Sequence, residues 1–295
     1  MADLLPESTR PSELPAAQAL YSRSSQPVVG VSFLPLGALD PLVWGTSHET
    51  DELVSRACEQ LKLDFAFVPS WEEWAPRLSR RLGMLGVAAF WVVDGPFSRV
   101  VADVGWSDAL RLTAVKPLEL LEPLDEAVEA TLRELRRGRS SKAGAIVVAE
   151  DLAGADGPLI SPDFVNDALV PRLERIAGEA ADLGLPSVIH SDGDVRAYLG
   201  AFARAGFAGV HVGGLGESAF VRILRDARVH GLRTVGGIEG EALRAGIPAS
   251  VRAGTQASLF AVAGDLLIAD DGSITTPEEF AAFAAAVAAA RGDVD

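Results

Sequence analysis

Cysteine is almost absent from this chain. Cys58 is the single one among 295 residues, so neither an intrachain disulfide nor an all-thiolate metal site can form. Leu61 follows it at helical spacing, which places the thiol on a buried helix face rather than at a reactive position. Basic residues are also scarce: 26 Lys and Arg stand against 41 Asp and Glu, for a formal net charge of −15 and a pI near 4.7. So acidic a surface argues against nucleic acid and anionic membrane as partners, because both are bound through basic patches. No apolar run approaches the length that spans a bilayer. Residues 1–26 carry Pro6, Pro11 and Pro15 without an apolar core of signal-peptide length, so a loosely ordered arm and a cytoplasmic location are expected.

Hydrophobic residues make up 48% of the chain, enough for a sizeable core. They fall in short runs separated by amphipathic or Ala-rich stretches, the pattern of repeated βα units. Strands are expected at Pro27 to Leu34, Asp64 to Pro69, Gly86 to Val93, Gly144 to Ala149, Pro186 to Ile189, Gly209 to Val212, Arg233 to Ile238 and Asp265 to Ile268. Helical patterns cover Glu52 to Leu61, Asp125 to Arg137, Pro162 to Leu183, Val195 to Ala205, Ala219 to His230 and Pro277 to Arg291. Ser161-Pro162 and Thr276-Pro277 each read as an N-cap followed by Pro at the first helical position. Pro171 interrupts the third helical pattern. Eight strands in this length predict an α/β fold, a (β/α)8 TIM barrel over residues 27–295, with an irregular N-terminal arm. The stretch Phe97 to Glu122 fits the repeat poorly and reads as an insertion with its own helices after strand 3.

The run Val188-Ile189 stops abruptly at His190-Ser191-Asp192-Gly193-Asp194. Leu183-Gly184 ends the preceding helix, so the run reads as a buried parallel strand, and polar groups at such a carboxyl end face the ligand site of a barrel. A plainer reading makes His190 a strand cap and Asp192 to Asp194 an Asx turn. The other strand ends are acidic too: Glu72 and Glu73, Asp94, Glu150 and Asp151, Glu239 and Glu241, Asp270 and Asp271, with His211 in the sixth strand. Carboxylates gathered without Lys or Arg raise one another's pKa unless a cation sits among them. His190 and Asp192 suit zinc or a harder divalent ion, with a further ligand from Asp270, Asp271 or Glu150. About half of these acids could instead be helix N-caps, as acids in βα loops commonly are. Gly213-Gly214 and Gly236-Gly237 lack the motifs of phosphate or dinucleotide loops. Trp71, Trp74 and Trp91 could wall a ring substrate or pack in the core.

Glu150-Asp151-Leu152-Ala153-Gly154, Gly157-Pro158-Leu159-Ile160-Ser161-Pro162 with Phe164, Val188-Ile189-His190-Ser191-Asp192-Gly193, Ala205 to His211, Gly236-Gly237-Ile238 and Gly95-Pro96-Phe97 follow one another in an order that resembles the uroporphyrinogen decarboxylase superfamily. The likeness is clear from about residue 86 to 240. It implies a (β/α)8 barrel and one of two chemistries. One is cofactor-free decarboxylation, with N-terminal arginines holding the tetrapyrrole's carboxylates; the other is methyl transfer between a corrinoid carrier and a small substrate at a zinc held by a His-x-Cys pair and a later cysteine. The arginines are missing from Val31 to Gly37, and Asp192 stands where the first cysteine would be. The expectation is a metal-assisted, corrinoid-linked methyltransferase acting on a small methylated or methoxylated compound. His190, Asp192 and Asp270 or Asp271 would hold the metal. Glu150, Asp151 or Glu239 would serve as general acid or substrate anchor, and Glu72, Trp91, Asp94 and His211 would contact substrate. Decarboxylation is the alternative, with Asp94 or Glu72 near the pyrrole nitrogens; a non-catalytic barrel binding a ligand or a corrinoid protein is a third. Family likeness also implies a homodimer.

Overall fold

A computed structural model describes residues 10–22, 24, 26–34, 38–39 and 49–293. Eight strands run in parallel in chain order: β1 (Gly30–Val31), β2 (Phe65–Pro69), β3 (Ala88–Asp94), β4 (Ala145–Ala149), β5 (Ser187–Asp192), β6 (Gly209–Gly213), β7 (Arg233–Ile238) and β8 (Leu266–Asp270). The ring closes where Val29 bridges Ile268 and the Ile268 amide donates to the Val28 carbonyl at 2.8 Å. The molecule is a (β/α)8 TIM barrel.

Period-two alternation explains the two buried layers. Phe65, Phe67, Phe90, Val92, Val147, Val188, Val235, Leu267 and Ala269 point inward and fill the barrel. Their neighbours Val68, Trp91, Val93, Ile146, Val148, Ile189, Val210 and Ile268 point outward and pack beneath the helices. Both sets must be apolar, which is why the strands read as continuous hydrophobic runs rather than alternating ones.

The insertion after β3 takes the form of helices Pro96–Val104 and Trp106–Val115 and a 3-10 turn Pro117–Leu120, leading into the long helix Leu121–Ser140. The described part of the N-terminal arm is not loose: short helical turns at Pro11–Glu13 and Pro15–Gln18 put Leu14, Ala16, Ala19 and Leu20 into the inner cluster, plugging the amino-terminal end of the barrel. The helical pattern around Pro171 resolves into a first turn Pro162–Phe164, a wide π-turn Val165–Leu169 and a helix Val170–Asp182. Pro171 has no N–H, and the Val170 amide reaches back five residues to the Val165 carbonyl instead of four. Two helices that the sequence pattern left unassigned, Ala75–Met84 and Ile247–Val262, complete the outer layer. Among the described residues no helix is long and apolar enough to cross a membrane.

Candidate metal centre

His190 on β5 lies beside His211 on β6 in the strand register, so two inward-facing imidazoles stand at one height inside the barrel. Their Nδ1 atoms are 2.8 Å apart, and His211 Nε2 is 3.1 Å from the Asp270 main-chain oxygen. That carbonyl can only accept, so His211 must carry its proton on Nε2. A neutral imidazole has one N–H, so His211 Nδ1 is an acceptor, and the proton between the rings belongs to His190 Nδ1. His190 Nε2 is therefore left with a bare lone pair directed to the mouth. Burial holds both rings neutral: it drives His190 down to about 4, opposed by the His211 backbone carbonyl, and His211 down to about 3, with His190 adding to the effect. Phe33 and Phe67 close around the pair, Phe33 at 5.3 Å from the His190 ring and Phe67 at 5.0 Å from the His211 ring.

Asp192 ends β5, with one carboxylate oxygen 3.9 Å from His190 Nε2. Asp151, just beyond β4, completes the group: one ligand atom from each of Asp151, His190 and Asp192 lies within 4.8 Å of the others. The Asp192 side chain is 58% exposed, yet it sits in a recess among acids. Partial burial, then Asp151 and Asp271, push it up to about 6. A cation placed among these carboxylates would relieve that repulsion.

The loop carrying Asp151 is held from three sides. The Glu150 amide donates to the His190 carbonyl at 2.8 Å. The Glu150 side chain turns the other way, fully buried, and accepts from the Phe97 amide at 2.9 Å, the Ser98 amide at 2.8 Å and the Ser98 hydroxyl at 3.1 Å. It thereby caps the amino-terminal end of helix Pro96–Val104. A two-stranded hairpin, Ala153–Gly154 with Gly157–Pro158, then folds back toward the β5 end, where the Asp194 amide donates to the Gly154 carbonyl at 2.9 Å. Gly193 is required there: at φ +82 its position would put a Cβ 2.5 Å from the Gly154 oxygen. The buried Tyr198 hydroxyl lies 3.1 Å from the Leu152 carbonyl and 2.5 Å from that of Ile160, spanning both ends of the hairpin.

The remaining acids at the strand ends have other partners. Asp270 accepts from the Ser32 amide and hydroxyl, each at 2.6 Å, and from the Gly272 amide at 3.0 Å, tying β8 to the end of β1. Asp271 accepts from the Gly240 amide at 2.9 Å and from the amide and hydroxyl of Ser273. Among the described residues the group that could hold a metal ion joins His190 and Asp192 with Asp151, while the oxygens of Asp270 and Asp271 bind the loop backbone. Asp194, the second carboxylate of the β5 motif, forms a two-pronged ion pair with Arg196 at 2.8 and 2.6 Å. Glu150 is a helix cap with no oxygen facing the mouth donors. Trp91 points outward, fully buried, its indole N–H donating to the Glu134 carbonyl at 3.1 Å, and it walls no substrate site; the aromatic wall is Phe33 and Phe67. Asp94 ends β3 half-buried, raised by burial with Arg99 opposing and Glu134 adding. Glu72 lies half-buried in the turn after β2. Glu239 is buried at the end of β7, beside the Asp271 carboxyl and the Leu215 amide but with no well-aligned donor on either oxygen. Burial first, then Asp271 and Asp270, push its carboxyl up to about 9, against a lesser pull from the Leu215 amide.

Comparison with solved structures places this arrangement on a known scaffold. A methyltransferase from Methanosarcina mazei superposes with a TM-score of 0.69 at 18% identity, over 97% of this chain and 99% of that one. The fold is shared with that methyltransferase. A chitinase from Chromobacterium violaceum ATCC 12472 (TM-score 0.54, 9% identity, covering 91% of this chain and 99% of that one) shows the same architecture more distantly. So does a D-psicose 3-epimerase from Clostridium cellulolyticum H10 (TM-score 0.53, 11% identity, covering 90% and 96%). No family model and no curated protein matches the chain.

The sequence pattern had marked both halves of the cluster, His190 with Asp192 and Asp151, but not their grouping. His211 stood in the same pattern as a possible substrate contact; its place on the adjacent strand at the register of His190 is the signal that makes it an imidazole support.

Proposed function

We propose that this protein is a metal-dependent methyltransferase of the uroporphyrinogen decarboxylase superfamily, moving a methyl group between a corrinoid carried by a partner protein and a small substrate. The observation that carries the reading is the His190 lone pair aimed at Asp192 and Asp151, inside a barrel whose fold is shared with a methyltransferase. One imidazole and two carboxylates leave open positions on zinc or a similar divalent ion, as catalytic sites do. When bound, such an ion supplies Lewis acidity toward a substrate oxygen or sulfur.

The chain's own residues do the rest. Asp151 and Asp192 supply the negative charge that holds a cation. His211 fixes which nitrogen of His190 faces the mouth. Phe33 and Phe67 exclude water behind the imidazoles, strengthening electrostatic contacts at the mouth. Oxygen ligands in place of thiolates favour a harder substrate atom, an alkoxide or methoxy oxygen, over a thiolate.

The test is a zinc titration of purified protein, followed by transfer from methylcobalamin to small alcohols and thiols, read by the cobalamin spectrum. Binding of one zinc that His190→Ala abolishes, together with metal-dependent demethylation of the cobalamin, is expected. A protein that binds no divalent ion, or turns over equally well with His190 replaced, would overturn the proposal.

A further inference from the structure

A second recess lies outside the barrel, between helix Glu217–Val229 after β6 and the two helices after β7, Gly240–Arg244 and Ile247–Val262. It has a volume of about 380 Å³. Helices that cover a barrel strand normally interdigitate to crystal-like density, so a space of this size between them is unusual and falls in the range of small-molecule sites. Its helix wall is made of Ala249, Ala253 and Ala257, one turn apart, whose short side chains leave the space open. Its floor is β7 at Gly237, next to Gly236. There φ is +140 and +96, and a Cβ on Gly236 would meet the Phe220 ring at 2.9 Å. These glycines seat an aromatic ring, not a phosphate.

One carboxyl group reaches the inner end. Glu239 is 5% exposed, lines the recess, and has no donor aligned on either oxygen. Behind it stands Asp271, whose two oxygens are taken by Gly240 and Ser273. Glu239 and Asp271 thus bring two carboxyl groups together at the buried end, and Asp271 opposes a negative charge on Glu239. The outer lining adds Glu217 and Glu241, with Gln256 and the exposed Arg252. The recess is thus apolar along its alanine and Phe220 walls, polar at its rim and acidic at its buried end.

We propose that this recess binds a small organic ammonium ion with an apolar body, its nitrogen donating to Glu239 and its hydrocarbon part lying on the alanine wall and Phe220. A cation offsets the repulsion between the two carboxyl groups, and its N–H donates to a Glu239 oxygen on which no well-aligned donor lies. An alcohol of the same shape offers the donor without the charge. A carboxylate would meet two acids at the inner end.

Calorimetric titration with 2-phenylethylamine, with 2-phenylethanol as the uncharged isostere, tests the site on the whole protein. The amine is expected to saturate one site and to bind at least tenfold more tightly than the alcohol. Glu239→Gln should weaken it tenfold or more, and Ala253→Phe, which fills the recess, should abolish it, while His190→Ala leaves it unchanged. The absence of saturable binding, equal binding of amine and alcohol, or retention of wild-type affinity in either recess variant would overturn the proposal.

Discussion

Replacing His211 by Phe removes the ring that sets the His190 tautomer while keeping an aromatic of similar width in the barrel. Two buried groups then lose the ring as a partner: the Nδ1–H of His190, which lay 2.8 Å from it and keeps only the main-chain carbonyl of residue 211 nearby, and the Asp270 carbonyl, 3.1 Å from it. A buried group left unsatisfied costs about 1–3 kcal/mol, so the Asp270 carbonyl alone should lower folding stability by about that much, less whatever the more apolar Phe regains against Phe67. Metal affinity should fall by about 10–100-fold, because a ligand imidazole without its outer hydrogen bond is free to turn and to carry its proton on either nitrogen. That range corresponds to about 1.4–2.7 kcal/mol. Chelator competition with zinc at pH 7.5 measures the first quantity, and urea unfolding of the metal-free protein the second. Long-range 15N correlation spectra of the wild type should place the His190 proton on Nδ1. His211→Gln offers a carbonyl to His190 and an amide N–H to Asp270, and should recover part of the affinity. A folded His211→Phe variant with wild-type zinc affinity, or a wild-type His190 protonated on Nε2, would refute the reasoning.

Zinc affinity should decline as pH falls through about 6, where Asp192 takes up a proton, while His190, held down to about 4, stays neutral over the same range; titrations between pH 7.5 and 5 read the single proton involved. Glu150→Ala leaves the amides of Phe97 and Ser98 without their acceptor and should destabilise the fold by about 2–4 kcal/mol, seen as a lower urea midpoint. Glu239 binds a proton more tightly folded, at about 9, than unfolded, near 4.5, so its contribution to stability is lost as pH rises between those values. Glu239→Gln removes that penalty and should raise stability at pH 7 by up to about 3 kcal/mol, with the gain vanishing toward pH 4.5 in thermal melts.

The barrel was legible because its strands are buried on both faces, so each registers as an apolar run whatever its neighbours do. Arg233–Ile238 and Pro277–Arg291 match the pattern to the residue, the latter because Thr276 and Glu279 form a capping box and Gly292 ends the helix at φ +75. Ile247–Val262 was hidden, since an Ala-rich helix lining an open recess shows no strong apolar stripe. Acid residues at strand ends were visible, but their direction was not. Glu150 and Asp151 are adjacent in sequence and face opposite ways, one into a helix amino terminus and one into the mouth. Period-two alternation alone could not tell which, because both lie past the last paired residue of β4. Asp270 and Asp271 look like ligands in sequence; only the arrival of Ser32 and Gly240 from distant segments reveals them as ties.

The tautomer of His190 is set by a main-chain oxygen, a group no side-chain substitution at residue 270 can delete. What can move it is the seam. The Asp270 side chain fastens this segment to Ser32, beside the bridge from Val29 to Ile268 that makes the sheet a ring. A breach between β1 and β8 would carry the carbonyl away and let both imidazoles turn. If the proposed metal centre holds, its readiness to take an ion would report, across the width of the barrel, whether the circle of strands is complete, and a bound ion would in turn act as a latch on that circle.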